Sequence, residues 1–234
     1  MTPPEFDAVL LDWRGTLVVA PTFRWLVETA LGRLGRDASA TAVERVLAAL
    51  RSADRDRVSA PMVDTDVDEH RAAFAAWFSA ARIDDELAAA LYAVESEPAL
   101  NPFAGDVGTV LEALSAAGVR IGVVSDIHVD LRPVFAEHRL ADGRTWADLV
   151  EVWALSFELG VAKPDAAVFR YALDRLGLDA SRVLMVGDRG AWDGGAADLG
   201  ITTLVLPPLV AVDDLRLRRV LDLVLPGRRG ATPA

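Results

Sequence analysis

The feature that most constrains the fold of this chain is a series of five short apolar segments that alternate with helical segments. The apolar segments are residues 7–11, Val119–Val124, Val150–Leu155, Val183–Val186 and Ile201–Leu206. Short, almost continuously apolar segments are typical of strands that are buried on both faces of a sheet. Apolar residues at helical spacing occupy much of the chain between them, so we predict parallel strands connected by helices. The predicted fold class is α/β, with a doubly wound parallel sheet.

A long helical block separates the first predicted strand from the other four. From Thr22 to about Val94 the apolar side chains recur at helical spacing, which predicts amphipathic helices that pack on one another. The charged stretch from Ser52 to Asp68 is predicted to be a loop within this block. The predicted division is a core of residues 1–19 and 101–234 and a helical insert of residues 20–100. An insert directly after the first strand is well placed to act as a lid over the end of that strand.

Three predictions concern the ends of elements. Asp106 and Asp165 each precede a helical segment, where an Asp side chain can cap the first turn. From Asp213 onward we predict a short helix followed by a tail, with Gly230–Ala234 frayed.

Polar residues follow three of the apolar segments directly. Asp12, Ser125 and Asp188 each come at or just after the end of a predicted strand. Ligands bind at the carboxyl ends of the strands in open parallel sheets, so we expect these three side chains to meet at one edge.

Four short motifs with polar or glycine residues follow one another along the chain. They are Asp12-Trp13-Arg14-Gly15-Thr16-Leu17, Ser125, Gly160-Val161-Ala162-Lys163-Pro164-Asp165, and Val186-Gly187-Asp188 with Asp193 and Gly195-Ala196. In these motifs the chain resembles the haloacid dehalogenase-like (HAD) hydrolase superfamily, and the resemblance covers nearly the whole sequence. It implies a HAD-like Rossmannoid core, and the helical insert is similar to the α-helical cap of that superfamily.

The resemblance also implies roles for the acidic residues. Asp12 is the implied nucleophile, which forms an aspartyl-phosphate. Asp12, Asp188 and Asp193 offer carboxylate oxygens to a hard cation, which suits Mg²⁺. In the superfamily a backbone carbonyl two residues after the nucleophile is a further ligand, and here that is the carbonyl of Arg14.

The predicted substrate-binding residues are Ser125, Asp126 and Lys163. The resemblance implies that Lys163 holds the phosphoryl group and the nucleophile together through its charge. It implies that Ser125 donates a hydrogen bond to a phosphoryl oxygen. A helix N-cap is the alternative interpretation for Ser125 and for Asp126.

Arg14 departs from the superfamily pattern, which has a second Asp at this position. That Asp protonates the leaving group and then activates water, a contribution of about 10²–10⁴-fold. A guanidinium group is neither a useful proton donor nor a proton acceptor near neutral pH, so it cannot take either role. We therefore keep Arg14 among the catalytic candidates, either as a phosphate ligand or as an ion-pair partner of Asp12.

The leading hypothesis is a Mg²⁺-dependent hydrolase that acts on a small phosphorylated metabolite through Asp12. One alternative is a metal-independent hydrolase of the haloacid dehalogenase type, in which Asp12 attacks carbon. Dehalogenases of the superfamily lack the residue that matches Asp188, which disfavours this alternative. The other alternative is a non-catalytic relative that binds a phosphorylated ligand or a protein partner.

The composition limits the partners. A net charge of −11 disfavours nucleic acid, and the absence of cysteine excludes thiol chemistry and thiolate metal sites. No segment approaches the roughly 18–20 apolar residues of a membrane helix, and the first residues lack a signal-peptide pattern. We expect a cytoplasmic protein whose partner is a small anionic phosphorylated substrate, and the oligomeric state stays open.

The remaining candidates are histidines and tryptophans. His70, His128 and His138 are scattered along the sequence, and we expect His128 at the surface rather than in the pocket. Trp13 and Trp192 flank motif residues, and packing is the expected role of both.

Overall fold

The computed structural model describes residues 3–226 and contains one five-stranded parallel sheet. The strands are β1 (Ala8–Leu11), β2 (Arg120–Ser125), β3 (Val150–Leu155), β4 (Val183–Gly187) and β5 (Thr202–Val205). Their order across the sheet is β3-β2-β1-β4-β5. β1 is therefore central, and it pairs along its whole length with β2 on one side and β4 on the other. The predicted α/β class with a parallel sheet is confirmed.

Ten α-helices surround or extend this sheet in the described residues. They are α1 (Phe23–Arg33), α2 (Ala40–Ser52), α3 (Val67–Ala80), α4 (Asp85–Glu95), α5 (Val107–Ala116), α6 (Arg132–Ala136), α7 (Ser156–Leu159), α8 (Ala166–Leu176), α9 (Gly190–Asp193) and α10 (Arg218–Val224). Alternate residues of β1 enter opposite cores: Val9 and Leu11 pack with α5, α6 and α10, whereas Ala8 and Leu10 pack with α8. This alternation covers both faces of the sheet and leaves the strand ends to carry the polar residues.

Helices α1 to α4 have a hydrophobic core of their own, which includes Leu26, Leu47, Trp77 and Leu91. Each of these helices begins with a side-chain cap, from Thr22, Ser39, Asp66 and Asp84 respectively. A 3₁₀ turn, Val63–Thr65, lies in the loop between α2 and α3. The role of this block as a cap, and its limits at residues 20 and 100, stay predictions.

Of the two helix caps predicted from Asp residues, the structure confirms one and contradicts the other. Asp165 caps α8 by accepting a hydrogen bond from the Ala167 N–H, as predicted. The prediction for Asp106 was wrong: its side chain does not cap α5, and its Oδ2 accepts a hydrogen bond from the N–H of Arg218 instead. The tail Gly230–Ala234 lies outside the described residues. Between residues 3 and 226, every helix is too short or too polar to cross a membrane.

Candidate active site

Asp12 stands at the carboxyl end of the central strand. Its N–H donates to the carbonyl of Val186, which extends the pairing of β1 with β4 by one residue. Asp12 is 3% exposed, and both of its carboxylate oxygens accept hydrogen bonds. Oδ1 accepts from Lys163 Nζ at 2.6 Å, and Oδ2 accepts from the hydroxyl of Thr16 at 3.1 Å. The side chain is thus held in one orientation at the end of the sheet.

Lys163 is the positive centre of the site. Its ammonium group is fully buried and also donates to Asp193 Oδ1 at 2.7 Å. Burial opposes the charged form, but the carboxylates of Asp12, Asp193 and Asp126 outweigh burial and raise the pKa of Lys163 above its usual range. Its backbone N–H donates to Asp126 Oδ1 at 2.8 Å, and the following bond to Pro164 is cis. Lys163 therefore stays charged and bridges two carboxylates that would otherwise repel each other.

Asp188 completes a cluster of three carboxylates. Ligand oxygens of Asp12, Asp188 and Asp193 all lie within 4.8 Å of one another. Oδ1 of Asp188 is buried and has no hydrogen-bond partner. Burial, followed by the charge of Asp12, raises the pKa of Asp188 above its usual value. A buried carboxylate oxygen without a partner is costly unless a cation or a proton satisfies it.

Two glycines make room for these carboxylates. A Cβ on Gly15 would lie 2.3 Å from Asp188 Oδ2, and one on Gly187 would lie 2.1 Å from Asp193 Cγ. Gly15 also has a φ of +82°, a conformation that side chains other than glycine rarely adopt. The backbone at Gly15 and Gly187 therefore passes so close to the side chains of Asp188 and Asp193 that a larger residue would displace them.

The carboxylate cluster fits a hard divalent cation. Three carboxylates with oxygens within 4.8 Å of one another, and a single ammonium group among them, leave an excess of negative charge. Oxygen ligands of this kind suit Mg²⁺, which usually keeps several waters and takes few protein ligands. Oδ1 of Asp188 is available as a metal ligand, because no hydrogen-bond donor in the described part of the chain reaches it.

Ser125 and Asp126 lie at the end of β2, the neighbour of β1. Ser125 is 3% exposed and is the last residue of its strand. Asp126 is bonded to the backbone of Lys163, and burial raises the pKa of Asp126 above its usual value. Neither residue caps a helix, because the next helix, α6, begins only at Arg132. Their predicted substrate-binding roles remain predictions.

Arg14 binds residues other than Asp12, so one of its two alternative roles, the ion pair with Asp12, is wrong. Its guanidinium group donates to Glu95 Oε1 at 2.6 Å, to the Glu95 carbonyl at 2.9 Å and to Asn101 Oδ1 at 2.9 Å. Glu95 ends α4, and Asn101 lies in the segment that returns from the helical insert to the core. Arg14 thus links the loop after β1 to the helical insert.

Sequence reasoning missed several residues around this site. Thr16 was read only as part of a motif, although its position four residues after Asp12 lets it fix the Asp12 carboxylate. Glu95 and Asn101 carried no signal, because their contact with Arg14 depends on how the insert packs.

His128 was expected at the surface, but it is 2% exposed and stacks on His70. Trp13 is fully buried as expected, and it packs against Phe103 and Phe135. Trp192 is 38% exposed and lies against the guanidinium group of Arg189.

Comparison with known proteins matches this chain to one family. A family model described as haloacid dehalogenase-like hydrolase matches residues 6–200. A phosphoglycolate phosphatase of Rhodospirillum rubrum is 33% identical over 140 residues, which covers 53% of this chain and 56% of the relative. A glyceraldehyde 3-phosphate phosphatase of Methanocaldococcus jannaschii is 32% identical over 106 residues, which covers 45% of this chain and 44% of the relative. The chain thus spans about half the length of each of these two curated relatives.

Among solved structures, a 2-haloacid dehalogenase from Pseudomonas syringae pv. Tomato DC3000 superposes with a TM-score of 0.59 at 22% identity. The superposition covers 92% of this chain and 98% of the dehalogenase. At this level of identity the likeness concerns the fold.

Proposed function

The chain belongs to the haloacid dehalogenase-like hydrolase family, and on this premise we propose that it is a Mg²⁺-dependent phosphatase of small phosphorylated metabolites. In this proposal Asp12 is the nucleophile, and Asp12, Asp188 and Asp193 hold the metal ion. Lys163, Ser125 and Asp126 are proposed to bind and position the phosphoryl group.

The cluster of three carboxylates carries this proposal. A nucleophile that attacks a phosphoryl dianion needs positive charge to overcome repulsion. Lys163 supplies one charge but is shared between Asp12 and Asp193. The partnerless oxygen of Asp188 points to a second positive charge in the working site. When bound, Mg²⁺ would offset the charge of the phosphoryl group and orient it toward Asp12.

The first step would use the fixed orientation of Asp12. An oxygen of the Asp12 carboxylate forms a bond to phosphorus while the bond between phosphorus and the leaving oxygen breaks. Thr16 holds one carboxylate oxygen and Lys163 the other, so the nucleophile needs little reorganisation. In the second step, water attacks phosphorus, releases inorganic phosphate and regenerates the Asp12 carboxylate.

Proton transfer is the unusual part of the proposed reaction. The side chain of Arg14 cannot give or take a proton near neutral pH, and it is bound to Glu95 and Asn101. The leaving oxygen must therefore depart as an anion or take its proton from the substrate or from water. We propose that substrates with good leaving groups, such as acyl phosphates, are preferred over alkyl phosphates.

The two curated relatives are named as phosphatases of phosphoglycolate and of glyceraldehyde 3-phosphate. These names support a small phosphorylated substrate for this chain, and both compounds belong in the first screen. Asp188 disfavours the dehalogenase alternative, because a metal-independent attack on carbon has no use for a third clustered carboxylate.

The experiment is a screen of small phosphorylated compounds, with acetyl phosphate included, in Mg²⁺ and in chelator. Released phosphate is measured for the wild type, for Asp12→Asn and for Asp198→Asn, an exposed aspartate that serves as a matched control. We expect Mg²⁺-dependent phosphate release that Asp12→Asn abolishes and Asp198→Asn preserves. Halide release from 2-haloacids in chelator would favour the dehalogenase, and a lack of both activities would favour a non-catalytic relative.

A further inference from the structure

A second group of potential metal ligands lies where the helical insert meets the core. It contains Asp64 and His70 from the insert and His128 from the loop after β2. One potential ligand atom from each of the three residues lies within 4.8 Å of the others. His70 Nε2 and His128 Nδ1 are each 3.6 Å from the same oxygen, Asp64 Oδ1. These distances are too long for hydrogen bonds and leave space between the three atoms.

The outward nitrogens of both histidines have hydroxyl partners. His70 Nδ1 lies 3.2 Å from the hydroxyl of Tyr92, and His128 Nε2 lies 3.0 Å from the hydroxyl of Ser96. When each outward nitrogen carries the proton, the inward nitrogen is left with a free lone pair. Histidines that bind metals are usually fixed in this way, with the second N–H donated to a neighbouring acceptor.

The inward nitrogen of His128 has no partner. The side chain of His128 is 1% exposed, and its Nδ1 is buried without a hydrogen bond. The backbone carbonyl of Asp64 is held by the hydroxyl of Ser156 at 2.7 Å, which keeps the Asp64 loop against the core. An unsatisfied buried nitrogen facing a carboxylate and a second imidazole calls for a ligand.

We infer that Asp64, His70 and His128 form a second metal site, selective for a transition-metal ion such as Zn²⁺ or Co²⁺. Two imidazoles and one carboxylate suit these ions better than they suit Mg²⁺. Bonds of about 2.0–2.2 Å place two ligands of one ion no more than about 4.4 Å apart. The two 3.6 Å distances satisfy this limit. Three protein ligands leave one position of a tetrahedral ion for water or an anionic group.

The orientation of the two imidazole rings sets what binding requires. The rings are stacked, with centroids 3.4 Å apart and planes at 11°. Parallel rings cannot both direct a lone pair at one ion, so occupation of this site requires the inward edges of both rings to turn toward the ion.

Such an ion would tie the insert to the core. Asp64 and His70 belong to the loop and to α3 of the insert, whereas His128 belongs to the sheet domain. The site shares no residue with the cluster of Asp12, Asp188 and Asp193, so its occupation is measurable without any activity assay.

The test is Co²⁺ binding to the intact chain in saturating Mg²⁺, followed by visible absorption and calorimetry. A four-coordinate Co²⁺ ion absorbs strongly in the visible range, whereas a six-coordinate ion absorbs weakly. We expect one strongly absorbing Co²⁺ per chain, displaced by Zn²⁺. His128→Gln should abolish it and His138→Gln should preserve it, because His138 packs on Trp146 outside the cluster. Tyr92→Phe should weaken binding by about 10–100-fold, the usual effect of removing an outer partner of a ligand.

Two further variants keep the result decisive. Asp64→Asn removes a ligand that is 33% exposed, so it tests the site even if His128→Gln fails to fold. Asp188→Asn should leave Co²⁺ binding intact and impair only the Mg²⁺ site. Absence of strongly absorbing Co²⁺ in the wild type, or its persistence in both Asp64→Asn and His128→Gln, would overturn the inference. In that case the two stacked histidines only pack the insert on the core.

Discussion

Replacing Asp188 by Asn should stabilise the metal-free protein while it removes the response to Mg²⁺. In the absence of metal the carboxylate of Asp188 faces two others, and one of its oxygens has no partner. The amide of Asn has nearly the same shape and no charge, and its NH₂ group can donate to a neighbouring carboxylate. The substitution therefore removes repulsion without leaving a cavity.

The size of the effect follows from the geometry. Two unit charges 4.8 Å apart repel by about 3.5 kcal/mol at an effective dielectric constant of about 20, and more when they are closer. Asp188 meets two such carboxylates, but it is partly exposed to solvent, and the charge of Lys163 offsets part of the repulsion. We expect Asp188→Asn to raise the free energy of unfolding of the metal-free protein by about 1–2 kcal/mol near pH 7.

The difference between the two proteins should depend on pH. Burial and the charge of Asp12 raise the pKa of Asp188, so the metal-free folded state binds this proton more tightly than the unfolded state does. The free energy of unfolding therefore falls as the pH rises from the usual carboxyl pKa through the raised one. Below that window Asp188 is protonated in both states, and the advantage of the Asn variant should vanish.

Urea unfolding at several pH values, in chelator and in Mg²⁺, measures each of these quantities. At a Mg²⁺ concentration 100 times its Kd, the wild type should gain about 2.7 kcal/mol and the variant much less. Asp198→Asn, an exposed control, should behave like the wild type in both conditions. A variant that is less stable than the wild type in chelator, or that gains as much from Mg²⁺, would refute the charge argument.

Three more outcomes are expected. Arg14→Gln and Glu95→Gln should show a coupling of about 1–2 kcal/mol in a double-mutant cycle of urea unfolding, because their ion pair is only partly exposed; additive effects would contradict the contact. Lys163→Met should destabilise the metal-free protein by about 3–5 kcal/mol in the same assay, since it leaves Asp12 and Asp193 buried without a counter-charge; a loss below about 1 kcal/mol would contradict this. The kcat of the wild type should fall steeply with increasing pKa of the leaving group in a series of aryl and alkyl phosphates, and a flat dependence would show that another group protonates the leaving oxygen.

The sheet and the positions of the acidic residues follow from local patterns in the sequence. β1, for example, is a four-residue apolar segment, and the first polar residue after it is Asp12. Because parallel strands end at a common edge, a parallel sheet was enough to predict that Asp12 and Asp188 lie at the same edge. The structure adds that β1 and β4 are neighbours, which brings the two carboxylates close together. Lys163 and Asp193 were placed by their resemblance to motifs, and the structure brings both to Asp12.

The contacts between the insert and the core could not be predicted in this way. Arg14 reaches Glu95, and His70 stacks on His128, across long separations in sequence. Such pairs depend on the angle and depth at which a helical unit packs on a sheet, and periodicity carries no information about either. The prediction that Asp106 caps α5 failed for the same reason. Its side chain accepts a hydrogen bond from the backbone N–H of Arg218, which is distant in sequence, instead of from the start of its own helix.

The central place of β1 has a consequence for the order in which the molecule folds. Ala8 pairs with Arg120 on one side and with Val183 on the other, so the middle of the sheet closes only after distant parts of the chain have met. Helices α1 to α4 form their core from one continuous segment of the chain, and that core includes no residue of β2, β3, β4 or β5. During synthesis the helical unit and the strand that carries Asp12 emerge long before β4. We therefore expect the carboxylate cluster to assemble only after β4 has paired with β1, so a nascent chain that already has its helical unit would still lack the chemistry of the site.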